Sequence, residues 1–194
     1  MLKKEIIWRH ILYEAIEKNI FLFQQKELAE KFNFSLSTVF NALKIPREIK
    51  AVEISGRGFK LKNTEKLLYL WGTQRKLEKD IIYKTFVNEP IEKIEGMMPD
   101  DIIWGGFSAY KYKFGAVPSD YGKIYVYSEN KEKIEKRFPL LKGVANLFII
   151  KSDAYLKEYG TIAPIAQIFV DIWNTSDWYG KEFLDKLKEK MLII

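Results

Sequence analysis

Cysteine is absent from the 194-residue chain, and histidine occurs once, at His10. The first absence excludes disulfides, thiol nucleophiles and thiolate-held zinc. The second excludes a histidine-rich metal site and leaves a Ser-His-Asp arrangement a single candidate base. No metal, cofactor or catalytic set is therefore expected. Long apolar runs are missing too: no uncharged stretch approaches the roughly 20 residues of a membrane span. The opening MLKKEIIWRH carries charges inside its apolar pattern, unlike a signal peptide. The cytoplasm is the expected compartment, with no membrane partner.

Apolar residues make up 47% and charged residues 30%, enough for a buried core in one large domain or two small ones. The net charge of +6 is unevenly spread. Residues 1–75 hold 14 Lys/Arg against 8 Asp/Glu, and residues 76–194 hold 18 of each. A basic excess confined to the first two-fifths points to a polyanionic partner for that part alone.

The order of elements in this part is specific. Ile7, Ile11 and Ala15, with Leu12 and Ile16, recur at helical spacing over a first helix. The lone His10 lies on it, where a core-edge role outweighs a catalytic one. A short apolar run, residues 20–23, reads as a small strand. QKELAEKF reads as a second helix with Leu28, Ala29 and Phe32 inward. After a turn at Asn33-Phe34-Ser35, Ser35 caps a third helix, LSTVFNALK. The spacing turns Leu36, Val39, Phe40 and Leu43 inward and leaves Ser37, Thr38, Asn41 and Lys44 outward. Two short helices around a tight turn, the second small and polar outside, form a helix-turn-helix pattern. Asn41 suits an adenine edge, and Ser37 and Thr38 suit bases or phosphates. Lys44, Arg47 and Lys50 suit the phosphate backbone.

AVEISGRGFKLKN follows as two alternating strands around Ser-Gly-Arg-Gly, a hairpin. Such a hairpin after a helix-turn-helix is the wing of a winged helix. Arg57 stands at its tip and Lys60 on its second strand. From Lys44 to Lys66, seven Lys/Arg stand against three Glu. The expectation is a winged-helix DNA-binding domain over residues 1–75. A winged helix that binds protein instead is the competing reading, and the basic excess argues against it.

Asn63 or Thr64 caps a connecting helix that Gly72 ends or loosens. Residues 76–194 then alternate strands and helices, an α+β or α/β pattern. Pro90 is placed at the first position of a short helix and Pro164 in the first turn of a later one. Ile102-Ile103-Trp104, Gly105-Gly106, a helix, a loop and the strand KIYVYSE match the start of a nucleotidyltransferase fold. Active members alternate two metal-binding carboxylates on that strand. Here Lys123, Tyr125 and Tyr127 stand in their place, and Asp120 lies in the loop before. A lone Asp171 makes no metal site and is expected to bond a backbone amide or a lysine. Asp100-Asp101 reads as a solvated start to a strand. The aromatics Tyr110, Tyr112, Phe114, Tyr121, Tyr125 and Tyr127 suit core, interface or nucleotide stacking. The apolar tail Met191–Ile194 is expected to dock on its own domain or on a partner subunit.

The N-terminal pattern, the IIWGGFSAYKYKFG segment and TIAPIAQIFVDIWN together resemble AbiEi-type antitoxins and related winged-helix regulators. The last segment resembles their sPiQtyLDL helix through Ala163, Pro164, Ile165, Gln167, Val170, Asp171 and Ile172. It departs after Asp171, where Asn174-Thr-Ser-Asp-Trp-Tyr replaces a Gly/Arg-rich turn. The resemblance implies an autorepressing DNA-binding antitoxin of a toxin-antitoxin operon. It implies a toxin partner and an acid-stripped nucleotidyltransferase-like second domain. A homodimer is the prior for a reader of two-fold operators. The rival from another class is a divergent nucleotidyltransferase using Asp120 or Asp171.

Overall fold

A computed structural model describes residues 1–56 and 58–192, with Leu192 described by its backbone alone. In the first part, α1 spans Lys3–Lys18, β1 Leu22–Gln24, α2 Gln25–Lys31 and α3 Leu36–Glu48. These are followed by β2 (Val52–Ser55), β3 (Gly58–Leu61) and α4 (Thr64–Gln74). The strands form an antiparallel sheet in the order β1-β3-β2. Phe23, Phe59 and Ile54 are paired in register toward the helices, and Leu22, Lys60 and Glu53 line the other face. Gly58 lets β1 and β3 approach closely, because a Cβ there would stand 2.6 Å from the Phe23 carbonyl oxygen.

The second part holds β4 (Ile81–Thr85), α5 (Ile91–Gly96), β5 (Ile103–Gly105) and α6 (Gly106–Phe114). It continues with β6 (Ile124–Ser128), α7 (Lys131–Arg137), β7 (Leu147–Lys151), α8 (Ile165–Trp173) and α9 (Gly180–Leu192). The chain is thus mixed α+β with two sheets. The second sheet runs β4-β7-β6-β5, and only β6 and β7 are parallel. Period-two alternation splits its side chains between two cores. Ile124, Val126, Leu147 and Ile149 pack with Ile94 of α5 and Ile134 of α7. Tyr125, Tyr127, Phe148 and Ile150 join a larger core that includes α6, α8 and the N-terminal helices. The Gly-Gly pair serves this packing. Gly106 is in the left-handed region (φ 50°), and a Cβ on Gly105 would meet the Tyr127 ring at 2.9 Å.

Helix α1 joins the two parts. It packs against α3, α4 and α8, so its apolar stripe widens to a helix that also buries Glu5, Arg9 and His10. Arg9 donates twice to Asp153, at 2.7 Å each, just beyond β7. Glu5 accepts from Leu2 N–H at the start of the helix and from Trp71 Nε1 of α4.

Three expectations change. Helix α3 runs on past Lys44 through Pro46 to Glu48. Helix α4 passes through Gly72 to Gln74, because the missing side chain admits the Trp173 ring, 3.2 Å from where a Cβ would lie. Pro90 and Pro164 precede α5 and α8 as N-caps instead of lying inside the first turn. Of the apolar tail, Met191 packs against the core, and Ile193 and Ile194 lie outside the described residues.

Candidate nucleic-acid interface

Helix α3 is placed by its caps and by one unusual contact. Asn33, in the left-handed region (φ 47°), turns the chain after α2. Ser35 then accepts the Thr38 N–H at 3.2 Å and caps α3. Pro46 has no N–H, so the Ala42 carbonyl one turn earlier lacks its helical donor. Trp8 Nε1 supplies one at 2.8 Å, deep in the core. Indole and helix are thereby locked in rotation as well as distance.

That lock decides which side chains face out. Val39, Ala42, Leu43 and Pro46 are the buried residues of α3. At about 100° per residue, the opposite side centres on Ser37, Asn41, Lys44 and Glu48, all exposed. Leu36 and Phe40, expected inside, are 55% and 50% exposed. They form the flank of the outer face, with the Arg47 guanidinium 5.8 Å above the Phe40 ring. Both stripes, 36/39/40/43 and 39/42/43/46, have helical spacing. Trp8 selects the second, because it needs small neighbours and the free Ala42 carbonyl.

The other predicted contacts lie around this face. Thr38 is half-buried, and its hydroxyl is 2.9 Å from Ser35 Oγ. Ser37 Oγ lies at the same distance from Ser35 Oγ. Arg47 is exposed on the last turn. Lys50 is exposed just after α3 in the left-handed region (φ 59°). Its N–H bonds Arg47 O and that of Ala51 bonds Pro46 O, a helix ending in which glycine is usual. Lys60 is exposed on the outer face of β3, opposite Leu22 and Glu53. Arg57, the expected hairpin tip, lies outside the described residues.

Several cations of this region have no carboxylate partner among the described residues, as do others elsewhere in the chain, such as Lys84 and Lys151. Among the described residues, Lys44, Arg47, Lys50 and Lys60 form no ion pair. In the second part Lys93, Lys111, Lys113, Lys123, Lys131 and Lys133 each meet a carboxylate. Along α3 the exposed cations thus lack carboxylate partners among the described residues, whereas beside the hairpin Lys62 meets Glu53 at 3.4 Å.

Comparison with family models, curated proteins and solved structures yields no match to this chain.

The carboxylates of the second part have other surroundings. Asp171 is fully buried on α8, 2.7 Å from the Tyr127 hydroxyl, and accepts from Gln167 Nε2 at 2.8 Å. Its partners are thus a phenol and an amide, where a backbone amide or a lysine was expected. Burial pushes Asp171 up to about 6 against the pull of Arg75, Tyr127 and Gln167. Burial, followed by the Asp171 charge, holds the Tyr127 phenol far above its ordinary value. Asp120 is exposed in the loop before β6, and Asp101 pairs with Lys133. No group of three His, Asp or Glu side chains is arranged to hold a metal ion among the described residues. Tyr110, Tyr125 and Tyr127 are core, whereas Tyr112 is exposed against Trp104. Sequence reasoning passed over Leu36, Phe40 and the Asp171–Tyr127–Gln167 group. The i+4 spacing of Gln167 and Asp171 was the only available signal for the last.

Proposed function

We propose that residues 1–75 are a winged helix-turn-helix that binds duplex DNA, with α3 as recognition helix and the β2–β3 hairpin as wing. Residues 76–194 are then a nucleotidyltransferase-like unit acting in dimerisation, partner binding or effector sensing, without catalysis. The whole is a transcriptional regulator. Its resemblance to AbiEi-type antitoxins makes autorepression of a toxin operon the specific form of this reading.

One observation carries it: among the described residues Lys44, Arg47 and Lys50, on α3 and just after it, and Lys60 on β3 are exposed and form no ion pair, although Lys62 beside the hairpin meets Glu53. Neutralising these charges is left to another molecule, and a phosphate backbone is the natural counterpart. The small polar centre of the face, Ser37 and Asn41, suits a helix entering the major groove.

A shift assay over a salt series tests the face. Lys44→Ala combined with Arg57→Ala weakens binding to duplex DNA. The slope of log K against log salt falls by about 0.9 for each phosphate that the variant no longer neutralises. Unchanged affinity and slope in the double variant would show the face to be wrong. Nucleotidyl transfer with Mg²⁺ and labelled NTP, abolished by Asp171→Asn, would overturn the non-enzymatic reading of the second part.

A further inference from the structure

We infer that Leu36 and Phe40 read the methyl groups of thymine, and that α3 thereby selects A·T-containing DNA. This rests on the DNA-binding reading above and names the sequence class that the site prefers.

The two side chains belong to the large apolar residues that the fold leaves exposed. Each is about half exposed, they are one turn apart, and they border Ser37 and Asn41 on the helix that bears the free cations. Leu36 is the first residue of α3, immediately after the Ser35 cap. The N-terminal turns of a recognition helix are those that contact base edges. The thymine methyl is the apolar group that base pairs present in the major groove. An apolar pair on this part of the helix is complementary to it and to no other base. Asn41 follows Phe40 directly and has the donor and acceptor for an adenine N6/N7 edge. Methyl contacts and an adenine contact from neighbouring positions would discriminate adjacent A·T pairs. Charge favours this occupant over an apolar protein surface. Lys44 and Arg47 flank the pair, and the Arg47 guanidinium lies over the Phe40 ring. A protein knob would have to bury those unpaired charges, whereas phosphates satisfy them.

The test removes the methyl and nothing else. The full-length protein is titrated against a 30-base-pair alternating dA–dT duplex, the same duplex with deoxyuridine for thymidine, and an alternating dG–dC duplex, each across a salt series. Wild type is expected to prefer dA–dT over dG–dC by at least about tenfold and to weaken about three- to tenfold on deoxyuridine substitution. Leu36→Ala with Phe40→Ala is expected to bind the thymidine and deoxyuridine duplexes equally and to keep the wild-type salt slope. Both residues are exposed, so the circular dichroism of the variant should match wild type. Equal wild-type binding to the thymidine and deoxyuridine duplexes overturns the inference and leaves DNA binding standing. So does a variant that changes oligomeric state while keeping the thymidine preference, which would assign the pair to a protein contact. Failure to bind any duplex with salt dependence overturns the DNA-binding reading itself, and this inference with it.

Discussion

His10 shows how one side chain becomes a pH-dependent term in stability. It is nearly buried on α1, with Phe32 edge-on at 5.3 Å between centroids and the Tyr159 hydroxyl 3.2 Å from Nδ1. Burial, then Lys31 and Arg9, pushes it down to about 4. Glu14, 3.9 Å away on the next turn, is too distant to offset them. The unfolded chain therefore binds this proton from about pH 6.5 downward while the folded protein does not. The contribution is present above pH 6.5 and is lost as pH falls through about 4, up to about 3 kcal/mol in all. Asp171 has the opposite sign: raised to about 6 by burial, it favours the fold at low pH and loses that contribution as pH rises through 6. The comparison that isolates His10 is wild type against His10→Gln, which retains a polar group toward Tyr159. Chemical denaturation at pH 7 and pH 4.5 should show wild type losing stability relative to the variant on acidification. An unchanged difference would mean that His10 titrates normally in the folded protein.

Helix α3 is the element in which periodicity left a real choice. Leu36-Val39-Phe40-Leu43 and Val39-Ala42-Leu43-Pro46 are both helical stripes, differing by a rotation of about 60°. Hydrophobicity favours the first. The second wins because Pro46 strips Ala42 of a helical donor and Trp8 replaces it at 2.8 Å. Loss of that bond leaves a buried carbonyl unpaired, at about 1–3 kcal/mol. Trp8→Phe should therefore destabilise the protein by more than the change in packing alone. In a Pro46→Ala background the helix regains its own donor, and the same substitution should cost about 1 kcal/mol less. A double-mutant cycle by urea titration measures this coupling, and additive effects would show the indole bond to be dispensable. The caps and turns of the first part match the sequence pattern closely, because they act locally. Ser35 caps α3, Asn63 caps α4 through the Lys66 N–H, and Gly56 turns the hairpin with φ 58°.

At the scale of the molecule, the two halves share a core. Ile7, Ile11, Trp71, Phe169 and Phe183 belong to one buried cluster, and Arg9 on α1 is clamped to Asp153 in the second half. Removing a partner from such a buried pair costs about 3–5 kcal/mol. Full-length protein should thus unfold in a single calorimetric transition. A fragment of residues 1–75 should lack a cooperative melt, since α1 and α4 lose α8. Two separated transitions in the full chain would show the halves to be thermodynamically independent. Amphipathic spacing, caps, turn residues and the location of the basic excess were all determined by the sequence alone, because each depends on residues close along the chain. The rotation of α3, the exposure of Leu36 and Phe40, and the burial of Glu5, Arg9 and Asp171 were decided only by tertiary structure. These depend on partners 34 to 144 positions away, as in Trp8 with Ala42 and Arg9 with Asp153. A stripe of apolar residues says that a helix has an inside, and only the surface packed against it chooses which stripe that is.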